Sequence, residues 1–149
     1  MSKFFQAFLT GVFFTFILDF FIFLGIKLHY VDFYKINVYY NILFADHQNI
    51  FIFALFSALI GFLVTYLDNN KINFIILGSL FFVVSLTLIA PIGNRVGEWI
   101  LMDKDVTLYD NKHSYNGDSY YDGRKTVTFY DYELKKVIIL DKQKLKGEN

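Results

Sequence analysis

Asp19 is the residue of this chain whose position most invites chemistry. It sits inside an apolar run, among Phe16, Ile17, Leu18, Phe20 and Phe21. A carboxylate placed in hydrocarbon costs about 2.5–3.5 kcal/mol on insertion scales, so such residues turn toward a helix bundle and pair there. Two roles follow: a protonatable group on an ion or proton path, or a hydrogen-bonded acid that helps helices associate. Gly11, Thr15 and Asp19 are spaced by four, which puts the acid on the small-residue stripe of its own helix. Its expected partners are Ser57 and Ser85. Each lies seven residues from one end of its own apolar segment, so antiparallel packing brings all three to one depth. A serine hydroxyl can donate to a carboxylate or accept from a carboxylic acid.

The other candidates are weaker. His29 with Asp32, and Asp46 with His47, have ligand chemistry, but His-x-x-Asp alone does not define a metal geometry, and interfacial polarity explains them more simply. Asp110, Asn111, Asn116, Asp118 and Asp122 are rich in oxygen but lack the spacing and twelfth-position Glu of a calcium loop. Turn chemistry accounts for them. No nucleophile with a base, phosphate-binding glycine loop or paired carboxylates appear, so no enzyme, metal site or cofactor is expected.

The elements that must position Asp19 are membrane-type helices. Of 149 residues, 55% are hydrophobic, with 19 Phe and 11 Tyr; the zero formal net charge excludes a basic nucleic-acid binder, and without cysteine there is no disulfide framework. Ile50–Leu67 is eighteen residues without a charge, the length that reads as a membrane-spanning helix. Ala54, Ser57, Ala58, Gly61 and Thr65 fall on one of its faces, and small faces are where helices approach in lipid. This segment is taken as the centre of a bundle. A span over 4–26 precedes it and a span over 72–92 follows, with Gly78 and Ser85 on a shared face and Pro91 and Gly93 at its end. The short 68–71 connection predicts that the second and third spans are neighbours. Residues 27–49 read as an amphipathic segment in the membrane interface. There Tyr30, Tyr34, Tyr39 and Tyr40, with Trp99 further on, suit interfacial anchoring.

After residue 92 the composition turns polar, dividing the chain into a membrane domain (1–92) and a small soluble β-domain (93–149). Alternation in 105–109, 126–132 and 134–140, with Asn116-Gly117 and Asp122-Gly123 as turns, predicts an antiparallel meander of three or four strands. The fold class expected is therefore a three-span α-helical membrane protein with an interfacial segment and a β-meander tail. Three spans put residue 37 and residue 112 on one side. Lys3 and Lys71 against Lys27, Lys35, Arg95 and Lys104 do not choose an orientation. The function expected is a non-catalytic accessory or assembly subunit of a bacterial-type inner membrane, contacting lipid and either another membrane protein or copies of itself. A homo-oligomeric channel or ion-coupled transporter using Asp19 is the alternative.

Overall fold

A computed structural model describes residues 2–67, 69–110 and 113–146. Its longest element is α1, Lys3–Ile26, which runs on without a break through a π-helical turn, Lys27–Val31. Ser2 caps it by accepting from the Phe5 N–H. A short helix α2, Tyr40–His47, then meets α3, Ile50–Tyr66, at an 84° elbow. α4 covers Asn70–Ser85 and tightens into a 3₁₀ turn at Leu86–Leu88. Asn49 and Asn69 stand before the apolar runs of α3 and α4, and each side chain accepts two orphan N–H groups at the helix start. Two helices, Lys3–Val31 and Asn70–Leu88, are long and apolar enough to cross a membrane, and the count becomes three if α2 and α3 form one bent span.

Three expectations about these helices are corrected. The bundle is centred on α1 rather than on α3: α3, α4, α2 and a later helix, Ala90–Leu101, all contact α1. α3 and α4 are not broadly packed neighbours. They are tied near their connection, where Asn73 donates to the carbonyls of Val64 and Leu67. Pro91 opens a helix instead of closing one. α5 spans Ala90–Leu101 with the proline in its first turn, where the missing N–H would be unpaired anyway. The boundary of the helical part therefore moves from residue 92 to Met102.

The chain then forms β1 (Asp103–Asp110), β2 (Ser114–Asp122), β3 (Thr126–Asp131) and β4 (Lys136–Asp141), antiparallel and consecutive, with a two-residue β5 (Leu145–Lys146) on the far side of β1. The meander is as expected, but one turn is not. Asn116-Gly117 lies inside β2, paired with Thr107 and Val106. Gly117 has no positive φ; a Cβ there would lie 1.8 Å from the Tyr130 carbonyl oxygen, so the glycine serves close strand approach rather than a turn. Gly123 does stand in the β2–β3 connection, where its N–H donates to Thr126 O. Asn111 lies outside the described residues.

The sheet is curled. β4 ends at Asp141 and β5 starts at Leu145, and three intervening residues reach at most ~14 Å. Four strand spacings in a flat sheet would be ~19 Å. Phe129 is fully buried inside the curl. The opposite face is turned to the helices, and there the main core forms: Phe23, Ile26, Tyr30 and Val31 from α1 and its π turn, Ile36, Leu43 from α2, Leu101 from α5 and Tyr121 from β2. The sheet thus sits at the same end as the 27–49 segment. Lys112 itself lies outside the described residues.

Candidate functional site

Asp19 does not meet Ser57 or Ser85 through any hydrogen bond among the described residues. Its Oδ2 accepts from Gln48 Nε2 at 3.0 Å, at the elbow between α2 and α3. Ser57 lies two turns further along α1: a Cβ on Gly11 would lie 1.7 Å from the Ser57 carbonyl oxygen. Ser57 Oγ and Thr15 Oγ1 are buried without a hydrogen-bond partner among the described residues. Ser85, half-buried, ends α4 near the Thr87 knot described below. The depth match fails because α3 begins at the level of Asp19, placing its seventh residue beyond reach.

The α1–α3 contact rests on two glycines. A Cβ on Gly61 would lie 2.1 Å from the Ala7 carbonyl oxygen. Backbone meets backbone at both points, which only glycine allows. Gly11, Thr15, Ser57 and Gly61 are buried and Thr65 half-buried, as the small-residue pattern implies. Ala54 and Ala58 are exposed, however, and Ile60 is buried in their place. The face is rotated because α1 crosses at the Ser57–Gly61 edge, where the backbone is barest.

The other flank of α1 is open. α4 buries none of its residues. It touches α1 through Phe21 and Phe81, whose ring centroids are 4.9 Å apart, and a largely apolar groove lined by Phe14, Ile17, Leu18, Phe74, Leu77 and Gly78 remains between them. The sequence pattern assigns Gly78 to a helix contact. A Cβ there would meet nothing within 4 Å, so its expected neighbour is absent among the described residues.

α4 is fastened at its end. Thr87 Oγ1 reaches the carbonyls of Phe21 (3.2 Å) and Val84 (2.8 Å), and Gly25 and Gly93 allow its backbone between α1 and α5. His29 Nε2 donates to Leu88 O at 2.7 Å, and Asn94 Nδ2 donates to His29 O at 2.9 Å. His29 is thereby a structural donor in the π turn. No group of three or more His, Cys, Asp or Glu converges among the described residues.

The aromatic anchors divide. Tyr39 and Trp99 are exposed, Trp99 at 87%. Tyr30 is fully buried and donates to the Tyr120 carbonyl at 2.7 Å, so it belongs to the core and not to an interface. Tyr34 packs against Tyr120 with the rings tilted at 47° and their centroids 4.3 Å apart, and Tyr40 donates to Phe20 O at 3.0 Å. Residues 90–101 and the sheet supply the surfaces that turn Tyr30 and Tyr34 inward, whereas Tyr40 packs on α1.

Asp46 holds the sheet to α2 through a two-pronged pair with Arg124, at 2.5–3.1 Å. The Arg124 guanidinium, by hydrogen bonding and charge, keeps the Asp46 carboxyl below its usual range. In the sheet, Asp118 accepts from the Tyr132 hydroxyl (2.6 Å) and the Asp105 N–H (3.1 Å), while Asp122 pairs with Lys142. Asn116, which accepts from the Thr107 hydroxyl, Asp118 and Asp122 are therefore spent on separate local bonds.

Comparison with known protein families, with curated proteins and with solved structures finds no match.

Proposed function

We propose that this protein is a non-catalytic accessory subunit of a bacterial-type inner membrane, which binds a transmembrane helix of another membrane protein along α4 and stabilises or helps assemble it. The observation that carries the reading is the bare flank of α4, where Gly78 lines an apolar groove and a Cβ on it would meet no atom of the described residues within 4 Å. Helices in lipid gain nothing by escaping water, so a small residue on an open face is useful chiefly as a place where another backbone can come close. The exposed Phe and Leu side chains of α1 and α3 face acyl chains in this arrangement, with Tyr39 and Trp99 at the headgroup level.

The channel alternative gains no support from Asp19. Its hydrogen bond to Gln48 at the elbow suits a positioning role, in which the acid fixes where α3 enters. Purification of the tagged chain in mild detergent tests the proposal. A second membrane protein should co-purify, and Gly78→Leu should remove it while the subunit itself stays folded. A homo-oligomer that carries ions across liposomes, and loses that flux in Asp19→Asn, would overturn it.

A further inference from the structure

Between the 36–42 segment and the sheet lies a cavity of about 560 Å³. Its lining divides by chemistry. Ile36, Val38 and Ile42 line it from the segment, and Ile139, 67% exposed, lines it from β4. Arg124 and Lys125 line it from the β2–β3 turn, and no carboxylate is among the lining residues. Several donors there are uncommitted. Arg124 holds Asp46 through Nε and Nη2, which leaves Nη1 without a bond among the described residues. Lys125 Nζ makes no hydrogen bond or ion pair among the described residues. Thr128, 8% exposed, and Tyr121, 4% exposed, also line the cavity, and neither hydroxyl has a hydrogen-bond partner among the described residues. Buried polar groups are ordinarily paired, so hydroxyls left over beside a cavity call for a partner from outside the chain. The acids beside the cavity are occupied. Arg124 engages Asp46, and Asp141, opposite Thr126 in the sheet, accepts from the Gln143 N–H.

The cavity sits where the apolar helices begin. Tyr40, within the 36–42 segment, donates to Phe20 O, and the Phe44 ring lies 5.6 Å from that of Phe16, both contacts falling inside the apolar run of α1. Asp46, which anchors Arg124, stands four residues before Ile50, the first residue of the apolar α3, and four residues reach at most ~14 Å. Basic groups at the end of an apolar span meet lipid headgroups.

We propose that this cavity seats the headgroup of one anionic phospholipid. Lys125 Nζ and Arg124 Nη1 hold the phosphate by charge-assisted hydrogen bonds, and the apolar lining carries the glycerol and the first acyl carbons. A zwitterionic lipid also has a phosphate, but it brings a cation of its own, for which the lining offers no carboxylate. The proposal rests on the membrane reading given above and not on a partner at α4.

Native mass spectrometry of the full chain, delipidated in mild detergent, tests this with phosphatidylglycerol and phosphatidylcholine of identical acyl chains. One phosphatidylglycerol should bind per chain, about tenfold more tightly than phosphatidylcholine. Lys125→Glu should remove that preference without changing the circular dichroism or the unfolding midpoint, because the side chain is exposed and unbonded among the described residues. Lys71→Glu, exposed in the first turn of α4, should keep it. Arg124 stays in place, since its pair with Asp46 also holds the sheet to α2. Equal affinity for the two lipids, a preference that survives Lys125→Glu, or one lost as fully in Lys71→Glu would each overturn the proposal. Inorganic phosphate bound as tightly as the lipid, and lost in Lys125→Glu, would assign the cavity to a soluble anion instead and overturn it too. Release of the chain from membranes by alkaline carbonate would sink the membrane reading as well, whereas equal binding of both lipids by a carbonate-resistant chain would sink this proposal alone.

Discussion

The two flanks of α1 meet their neighbours in opposite ways. Toward α3 the surface is made of Ala7, Gly11 and Thr15, and the second helix presents Ser57 and Gly61, so carbonyls lie where side chains would ordinarily stand. Toward α4 both helices present Phe, Ile and Leu, which hold the backbones apart and leave a groove. Glycine occurs on both flanks, yet it has a partner only where the facing residue is also small. A small residue specifies a contact jointly with what faces it, and the flank left unmatched is the one available to a partner.

The largest expected effect comes from filling the tight flank. Gly61→Leu forces a side chain into the Ala7 carbonyl and should destabilise by at least about 3 kcal/mol, the upper range for overpacking. Thermal unfolding in detergent would show it. Survival of this variant with an unchanged midpoint would erase the distinction between the flanks. Next, Thr87→Val removes the bond to Phe21 O that fastens the loose flank at its end, and about 1 kcal/mol should be lost. Faster hydrogen exchange confined to α4 and α5 is the readout; exchange spread evenly through α1 and α3 would mean the flanks are not separable.

Ser57→Ala should change stability by no more than about 1 kcal/mol in either direction, since the buried hydroxyl has no partner to lose. A loss as great as that of Thr87→Val would reveal a bond within the tight flank. Gly78→Leu should be the most silent in stability, within about 0.5 kcal/mol, as expected where nothing is touched. Its effect should fall on co-purification alone. Acid provides a control on the sheet side of the molecule. The Asp46 carboxyl is held below its usual value of 3.8, so its pairing with Arg124 contributes above the unfolded pKa and is lost as pH falls through the lower folded one. Lowering pH from about 5 toward 3 should speed exchange at 123–126 first, with both flanks of α1 unmoved.

Much of the architecture is legible in the residues alone. Uncharged runs of this length admit few forms other than helices, and the alternation in 126–131 with the Asp122-Gly123 connection marks a hairpin, because both signals depend on local periodicity. Pro91 is ambiguous for the same local reason. A proline marks a helix boundary equally well at either side. Only the packing of α5 against the π turn, where a Cβ on Gly97 would come within 2.3 Å of Tyr30, chooses the start. The Gly11 and Gly61 contact can be read as a small-residue face, but its rotation away from Ala54 and Ala58 cannot, since the crossing point depends on both helices at once. Asp19 shows the limit most plainly. Its spacing with Gly11 and Thr15 comes from the sequence, whereas its partner Gln48 comes from an 84° elbow that no periodicity encodes. Local pattern determines which segments are helix or strand and which face is small; the level at which one segment meets another is set by the elbows and the curled sheet that tertiary packing makes.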